Sequence, residues 1–196
     1  MSTDELLRLH AWSTVLAQAQ VAEVTPTDLD RPTPCTGWTL RALLEHMVGQ
    51  DCGFAAAAHG DVSVERFAPQ PLTAPSGAAH ARAAAAVVTA FATTDRTEVL
   101  LPEIADRRLP LATVLGMHLL DTLVHGWDVS AALGDPVHYP QELVTACLHR
   151  AELVPSGPSR TRDGAAFRPA LPAGTAADPW DRALRLLGRD PHWAPG

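Results

Sequence analysis

The sequence contains no lysine, and all 15 of its basic residues are arginines. Without lysine the chain cannot form a Schiff base with a carbonyl substrate or use a lysine amine as a general base. Cysteine is scarce as well: Cys35, Cys52 and Cys147 are an odd number of widely spaced residues, with no CxxC pair. This pattern argues against a disulfide framework and against a metal site built from thiolates.

Other absences concern location and partners. No segment approaches 18 consecutive apolar residues, and the N-terminus lacks the basic region and apolar run of a signal peptide. The net charge is −7 and the arginines form no cluster, so the general field of the protein repels nucleic acid and anionic membranes. We therefore expect a cytoplasmic protein that binds neither nucleic acid nor membrane.

The chain does contain apolar residues at helical spacing. Its 196 residues are 46% hydrophobic, enough for one domain with a sizeable core. No βαβ alternation and no internal repeat is visible, which favours an all-α fold. We expect residues 95–108 to form a short connection, because Pro102 limits a weak alternation there. Proline or glycine bounds several of the predicted helices. The helices cover residues 3–22, 77–94, 110–133, 140–153 and 179–187, and one further helix runs from about Thr36 or Thr39 to His59.

A change in composition near residue 155 suggests how the chain is organised. Pro155, Gly157 and Pro158 are typical of a linker. We expect residues 1–154 to form the helical bundle and residues 155–196 to form a partly irregular C-terminal extension packed on it, within a single domain overall.

The segment around Asp121 and His125 is the most informative about chemistry. At about 100° per residue, these two positions lie about 40° apart on one helix face, so both side chains can point to one metal ion. The same spacing also suits a surface ion pair worth a few tenths of a kcal/mol. A third ligand would have to come from another helix, where His46 lies on an apolar stripe. A histidine in such a place is more often a hydrogen-bonded core residue, so spacing alone leaves these interpretations open.

Three blocks of sequence, Pro32–Thr39, Leu44–Gly49 and Leu119–Asp128, resemble the DinB-like metalloprotein superfamily. The nearest branch is the actinobacterial one that is similar to the N-terminal domain of mycothiol-dependent maleylpyruvate isomerase. Phe167–Pro169 and Leu184–Pro191 resemble the C-terminal end of stand-alone members.

The resemblance implies a DinB/YfiT-like four-helix bundle, here with an additional helix and the irregular tail. It also implies a divalent metal ion, Zn²⁺ or alternatively Ni²⁺, held by His46, Asp121 and His125. The family often has glutamate where this chain has Asp121. The isomerase carries a second, mixed α/β domain, which we expect this chain to be too short to contain.

Two histidines and one carboxylate leave a coordination position open, as in catalytic zinc sites. The resemblance implies a metal-dependent thiol transferase or isomerase that uses mycothiol as co-substrate, activated as a metal-bound thiolate, together with an electrophilic substrate. Two alternatives share the same ligands. One is a non-catalytic metal-binding protein in stress or sensing, and the other is a bundle enzyme recruited to a biosynthetic pathway with a substrate unrelated to thiols. We expect a monomer or a homodimer.

Further residues near these blocks have two interpretations each. His118 either supports a metal ligand from behind or is itself an alternative ligand, and Asp128 either orients an imidazole or is a surface charge. Cys35, at a predicted helix start, has a lowered pKa or is simply a small buried residue. Trp38 is expected to serve in packing, and Arg82 to face the bundle.

Overall fold

The computed structural model describes residues 1–72, 76–104, 107–161, 165–173 and 178–195. Within these ranges six α-helices alternate with short connections, and one two-stranded sheet is present. In chain order the elements are α1 (Thr3–Ala22), α2 (Leu40–Ala58), α3 (Ser76–Thr93), β1 (Glu98–Leu101), β2 (Arg107–Pro110), α4 (Leu111–Leu133), α5 (Gln141–Leu153) and α6 (Pro179–Leu186). The predicted mostly helical, DinB-like fold is confirmed.

The helix ends follow from local sequence chemistry. The side chain of Ser2 accepts a hydrogen bond from the backbone N–H of Glu5 at the start of α1, and Thr39 does the same for Ala42 at the start of α2. Of the two predicted caps for α2, the structure uses Thr39, so the helix begins after Cys35 and not at it. Gly134 ends α4 with a φ of 90°, which favours glycine.

Residues 95–108 were expected to form only a connection, and here the structure differs. β1 and β2 pair antiparallel, with Val99 opposite Leu109 and Leu101 opposite Arg107. Val99 and Leu101 are buried, so the weak alternation seen in the sequence is that of a short strand with one face on the core. Pro102 does not prevent pairing because it follows the last residue of β1.

The first four helices form the bundle. α1 packs against α3 and α4, and α2 also packs against α3 and α4. Gly126 allows a close approach between α1 and α4, because a Cβ atom there would lie 3.2 Å from the Cβ of Ala17 and 2.8 Å from the Tyr139 hydroxyl. No helix in the described ranges combines the length and apolar character needed to cross a bilayer.

The later helices extend this bundle on one side. α5 packs on α4, and α6 packs on α5. Leu184 and Leu187 are buried in a cluster that also contains Trp127 of α4 and Leu143 of α5. A backbone hydrogen bond from Leu171 to Arg185 holds part of the irregular segment beside α6. The chain after α6 therefore returns to α4, which carries two of the three predicted ligands.

Candidate metal centre

Two helices carry the three predicted ligands. His46 lies in the second turn of α2, and Asp121 and His125 lie in the middle of α4. One ligand atom from each of the three side chains lies within 4.8 Å of the other two. The Nε2 atom of His125 is 3.3 Å from Oδ1 of Asp121, as the i, i+4 spacing allows. We call these three residues the ligand cluster.

The ligand cluster has the donor set and the spacing of a zinc site. Zn²⁺ binds imidazole nitrogen and carboxylate oxygen at about 2.1 Å, so two ligand atoms at tetrahedral positions lie about 3.4 Å apart. The 3.3 Å separation between His125 and Asp121 is close to that value. The rings of His46 and His125 make a T-shaped contact, with their centroids 5.1 Å apart. These residues therefore fit one divalent ion and leave a coordination position free.

Asp128, one turn beyond His125, fixes the orientation of its ring. The Nδ1–H group of His125 donates to Oδ2 of Asp128 over 3.0 Å, which leaves Nε2 directed to Asp121. Metal-binding histidines commonly have such a carboxylate behind them. Arg189, in the turn after α6, places its guanidinium 3.1 Å from Oδ2 of Asp128 and 5.7 Å from the centre of the Phe167 ring.

A second group of possible ligands, Cys35, His125 and Asp128, lies on the opposite edge of the His125 ring. It is a poorer metal site, because Nη2 of Arg189 donates both to Sγ of Cys35 and to Oδ2 of Asp128, each over 3.1 Å. Since the guanidinium already supplies the positive charge there, a cation would have to displace it. The geometry favours the ligand cluster over this group.

Burial and neighbouring charges shift the pKa values of the two histidines of the ligand cluster in opposite directions. Burial, reinforced by His125, lowers the pKa of His46 to about 4. Burial also opposes charge on His125, yet Asp121 and Asp128 on either side raise its pKa well above the usual value. The pKa of Asp121 is lowered despite its partial burial, chiefly by His125. His46 is therefore neutral and ready to bind a metal at neutral pH, whereas His125 must first lose a proton.

The structure also bears on three other residues. Burial, with the negative charge of Asp128, raises the pKa of the Cys35 thiol, so the hypothesis of a lowered pKa is wrong. Arg82 is exposed and does not face the bundle. Trp38 is 38% exposed and rests its ring edge to face on His46, with centroids 4.9 Å apart, so it forms part of the rim of the site.

His118 lies apart from the ligand cluster, in a group that the sequence interpretation missed. It contacts His10 and Asp51, and His80 lies beside the same carboxylate. We call these four residues the inner cluster. Each is at most 5% exposed, and each comes from a different helix of the bundle. The available signal was a polar residue among apolar ones at helical spacing, repeated in four helices.

Comparison with known proteins adds independent information. The sequence model of the mycothiol maleylpyruvate isomerase N-terminal domain family matches residues 10–130. Two uncharacterized proteins of Mycobacterium tuberculosis, MT0763 of strain CDC 1551 and Rv0738 of strain H37Rv, are each 32% identical to this chain over 181 residues, which is 87% of this chain and 90% of theirs.

Two solved structures share the fold. They are mycothiol-dependent maleylpyruvate isomerase and a histidine-to-alanine mutant of it, with TM-scores of 0.58 and 0.62 and identities of 17% and 18%. In both, the similarity covers 77% of this chain and 68% of the other.

Proposed function

This chain belongs to the family of the mycothiol maleylpyruvate isomerase N-terminal domain. We propose that it is a metal-dependent enzyme with two substrates, a small thiol and an electrophile. The enzyme either transfers the thiol to the electrophile or uses the thiol to isomerise it. The family membership supports an isomerase-like enzyme. The finer parts of the proposal are that the metal is zinc, that the thiol is mycothiol and that the enzyme works in the cytoplasm.

A single observation carries the proposal: the ligand atoms of His46, Asp121 and His125 lie within 4.8 Å of one another. All three residues fall inside the region that the family model matches, residues 10–130. The side chain of Asp121 is 22% exposed, so the cluster is reachable from solvent. This combination of three convergent ligands and an open side is typical of a catalytic metal site.

Each residue of the site has a defined part in this proposal. His46, Asp121 and His125 would hold the metal ion, and Asp128, itself held by Arg189, keeps the Nε2 atom of His125 directed to it. A bound zinc ion would act as a Lewis acid that favours the thiolate form of a thiol at neutral pH. The chain needs no nucleophilic lysine or cysteine of its own, and the raised pKa of Cys35 is consistent with that.

Mycothiol is proposed because the solved structures that share this fold are named for dependence on it. Their reaction on maleylpyruvate is not carried over, since the similarity covers only 68% of those chains at 17–18% identity. We propose instead a reaction class: attack of a thiolate on an electrophilic carbon, followed either by transfer of the thiol group or by its release after isomerisation.

The test combines metal analysis with turnover. Purified wild type should contain close to one zinc per chain and should conjugate a fluorogenic electrophile with mycothiol faster than with other thiols. His46→Ala should lose both properties. His59→Ala is a matched control, because His59 is an exposed histidine at the end of the same helix and should change neither.

Two results would overturn parts of this proposal. Equal metal content in wild type and His46→Ala would remove His46 from the ligand set. Full metal content without turnover of any thiol would contradict the transferase or isomerase activity and would favour the non-catalytic metal-binding alternative.

A further inference from the structure

The inner cluster of His10, Asp51, His80 and His118 has no part in holding the metal in the function proposed above, yet it occupies the centre of the bundle. A buried carboxylate with three buried histidines is costly, and an apolar core of the same volume is often more stable. Perturbed ionisable groups of this kind are found most often at functional sites. What each atom of the inner cluster bonds to therefore indicates what the cluster can do.

Most hydrogen bonds of the inner cluster determine which ring nitrogen of each histidine carries the proton. His118 Nε2 is 3.1 Å from Oδ1 of Asp51 and donates to it. The Nδ1 atom of His118 is then an acceptor, and it lies 2.7 Å from Nε2 of His10, which donates to it. The pKa of His10 is lowered by burial and by His118, in agreement with a neutral ring. His10, His118 and one oxygen of Asp51 are thus paired with one another.

Two polar atoms of the cluster remain without a hydrogen-bond partner among the described residues: Oδ2 of Asp51 and Nδ1 of His80. Nε2 of His80 lies 3.8 Å from that oxygen, which is beyond hydrogen-bond distance, but the negative charge of the carboxylate favours the tautomer that carries its proton on Nε2. His80 then presents the lone pair of Nδ1. Because His80 is only 3% exposed, this unpaired nitrogen can only serve a group that enters the protein.

A small cavity gives such a group a place. Its wall includes Asp51 and His80 together with Asp121 and His125 of the ligand cluster. Its volume is about 10 Å³, roughly the room needed by one water-sized group. The cavity therefore has room for one water-sized group between two of the proposed metal ligands, Asp121 and His125, and the side chains of Asp51 and His80.

We propose that Asp51 and His80 form an acid/base dyad that receives the proton of the thiol substrate, directly or through one water. The inference rests on the proposed function. In this step the S–H bond breaks, its electron pair stays on sulfur, and the proton forms an N–H bond at Nδ1 of His80. Asp51 is the positioning residue that stabilises the resulting imidazolium. When the reaction ends, the proton returns to the released thiol or to the leaving group, so no oxidant or reductant is needed.

The surroundings of His80 suit a base at neutral pH. Burial lowers the pKa of His80 and Asp51 partly opposes this effect, so the ring is neutral before reaction. The titratable groups around it in the described chain are Asp51 from α2 and His118, Asp121 and His125 from α4, while His10 of α1 acts through His118. A pH profile of the dyad must therefore be compared with one from a variant that leaves all of these groups intact.

The decisive variant is His80→Gln, which keeps a polar side chain of similar size but cannot act as a base. We expect the rate of thiol conjugation to fall by about a hundredfold or more, with wild-type zinc content and loss of the acidic limb of the pH–rate profile. His149→Gln, at an exposed position of α5, is the matched control and should change neither the rate nor the profile. Wild-type rate and profile in zinc-loaded His80→Gln would overturn the proposal.

A second measurement uses the wild-type protein, so it requires neither turnover nor a folded variant with a substitution in the core. Nitrogen-15 NMR of the histidine rings in the wild-type protein should show His80 neutral, with its proton on Nε2. A proton on Nδ1 would overturn the dyad. If the wild type turns over no thiol at all, the proposed function fails by that assay, whereas the NMR tautomer still decides whether Asp51 and His80 form the dyad.

Discussion

The bundle contains two polar clusters close together, and they are stabilised in different ways. In the ligand cluster His125 lies between two carboxylates, one of which pairs with the guanidinium of Arg189. Asp121 gives this cluster an opening to solvent. The inner cluster has a single carboxylate, Asp51, with histidines around it, and each of its members is at most 5% exposed. In the function proposed above, the first cluster holds a cation and an external ligand, and the second transfers protons.

The difference also concerns which parts of the chain hold each cluster. One residue from each of α1 to α4 contributes to the inner cluster, so the bundle alone assembles it. The ligand cluster depends in addition on Arg189, which lies outside the four-helix bundle. A perturbation of the C-terminal segment should therefore affect the ligand cluster and leave the inner cluster in place.

The largest expected effect comes from Asp128→Asn. Asp128 is fully buried, and its loss of charge would leave the guanidinium of Arg189 buried without a counter-ion. We expect a decrease of about 3–5 kcal/mol in the free energy of unfolding, measured by urea denaturation of the metal-free protein. Arg8→Ala is the control, because Arg8 forms an exposed ion pair with Glu142 and should cost about 1 kcal/mol or less. Similar losses in both variants would contradict the contrast between a buried and an exposed pair.

The next effect is stabilisation by the metal. A ligand present at a hundred times its dissociation constant stabilises the folded state by about 2.7 kcal/mol, which corresponds to an increase in Tm of about 5–10 °C in a chain of this size. We expect Zn²⁺ to produce this shift in wild type and not in His46→Ala.

A variant of the inner cluster is the control for the zinc-dependent increase in Tm. Asp51→Asn removes its only carboxylate without touching a proposed ligand, so the zinc-dependent increase in Tm should persist even if the variant starts from a lower Tm. An equal shift in wild type and His46→Ala, or a shift lost only in Asp51→Asn, would reverse the assignment of the two clusters.

The smallest effect is the pH dependence of metal affinity. The proton on His125, whose pKa is raised, competes with the metal, whereas His46, with a pKa of about 4, carries no proton near neutrality. Zinc affinity should therefore rise as pH rises, by about tenfold or 1.4 kcal/mol per pH unit, until the pH reaches the pKa of His125. Competition with a chromophoric chelator between pH 5.5 and 7.5 measures this slope. A hundredfold change per unit would mean that a second ligand also loses a proton, and no slope would mean that His125 is already neutral.

Much of this architecture could be predicted from sequence. The apolar spacing and the caps predicted the helix ends to within one or two residues, because those signals are local; the exception is the start of α2, where the sequence left both Thr36 and Thr39 open and the helix begins at Leu40. Asp121 and His125 could be paired because four residues are about one turn of a helix. His46 could be added only through the resemblance to a family, since nothing in its own helix indicates which other helix it faces.

The contacts between distant segments could not be predicted. Arg189 follows Asp128 by 61 residues and lies in a turn after a short helix, where no periodicity indicates its direction. The inner cluster could not be predicted from sequence either. The chain has nine histidines, and only the packing of four helices decides that His80 and His118 meet at Asp51 and that His10 contacts His118.

The contact between Arg189 and Asp128 also has a consequence for how the protein matures during its synthesis. The ribosome makes the four helices of the bundle before it adds residue 189, and an N-terminal part of a chain can begin to fold while the rest is being made. Until residue 189 emerges, Asp128 has no guanidinium beside it, and the ring of His125 is held by carboxylates alone. We therefore expect the final arrangement of Asp128 and His125 to arise late, after the four helices of the bundle have been synthesised.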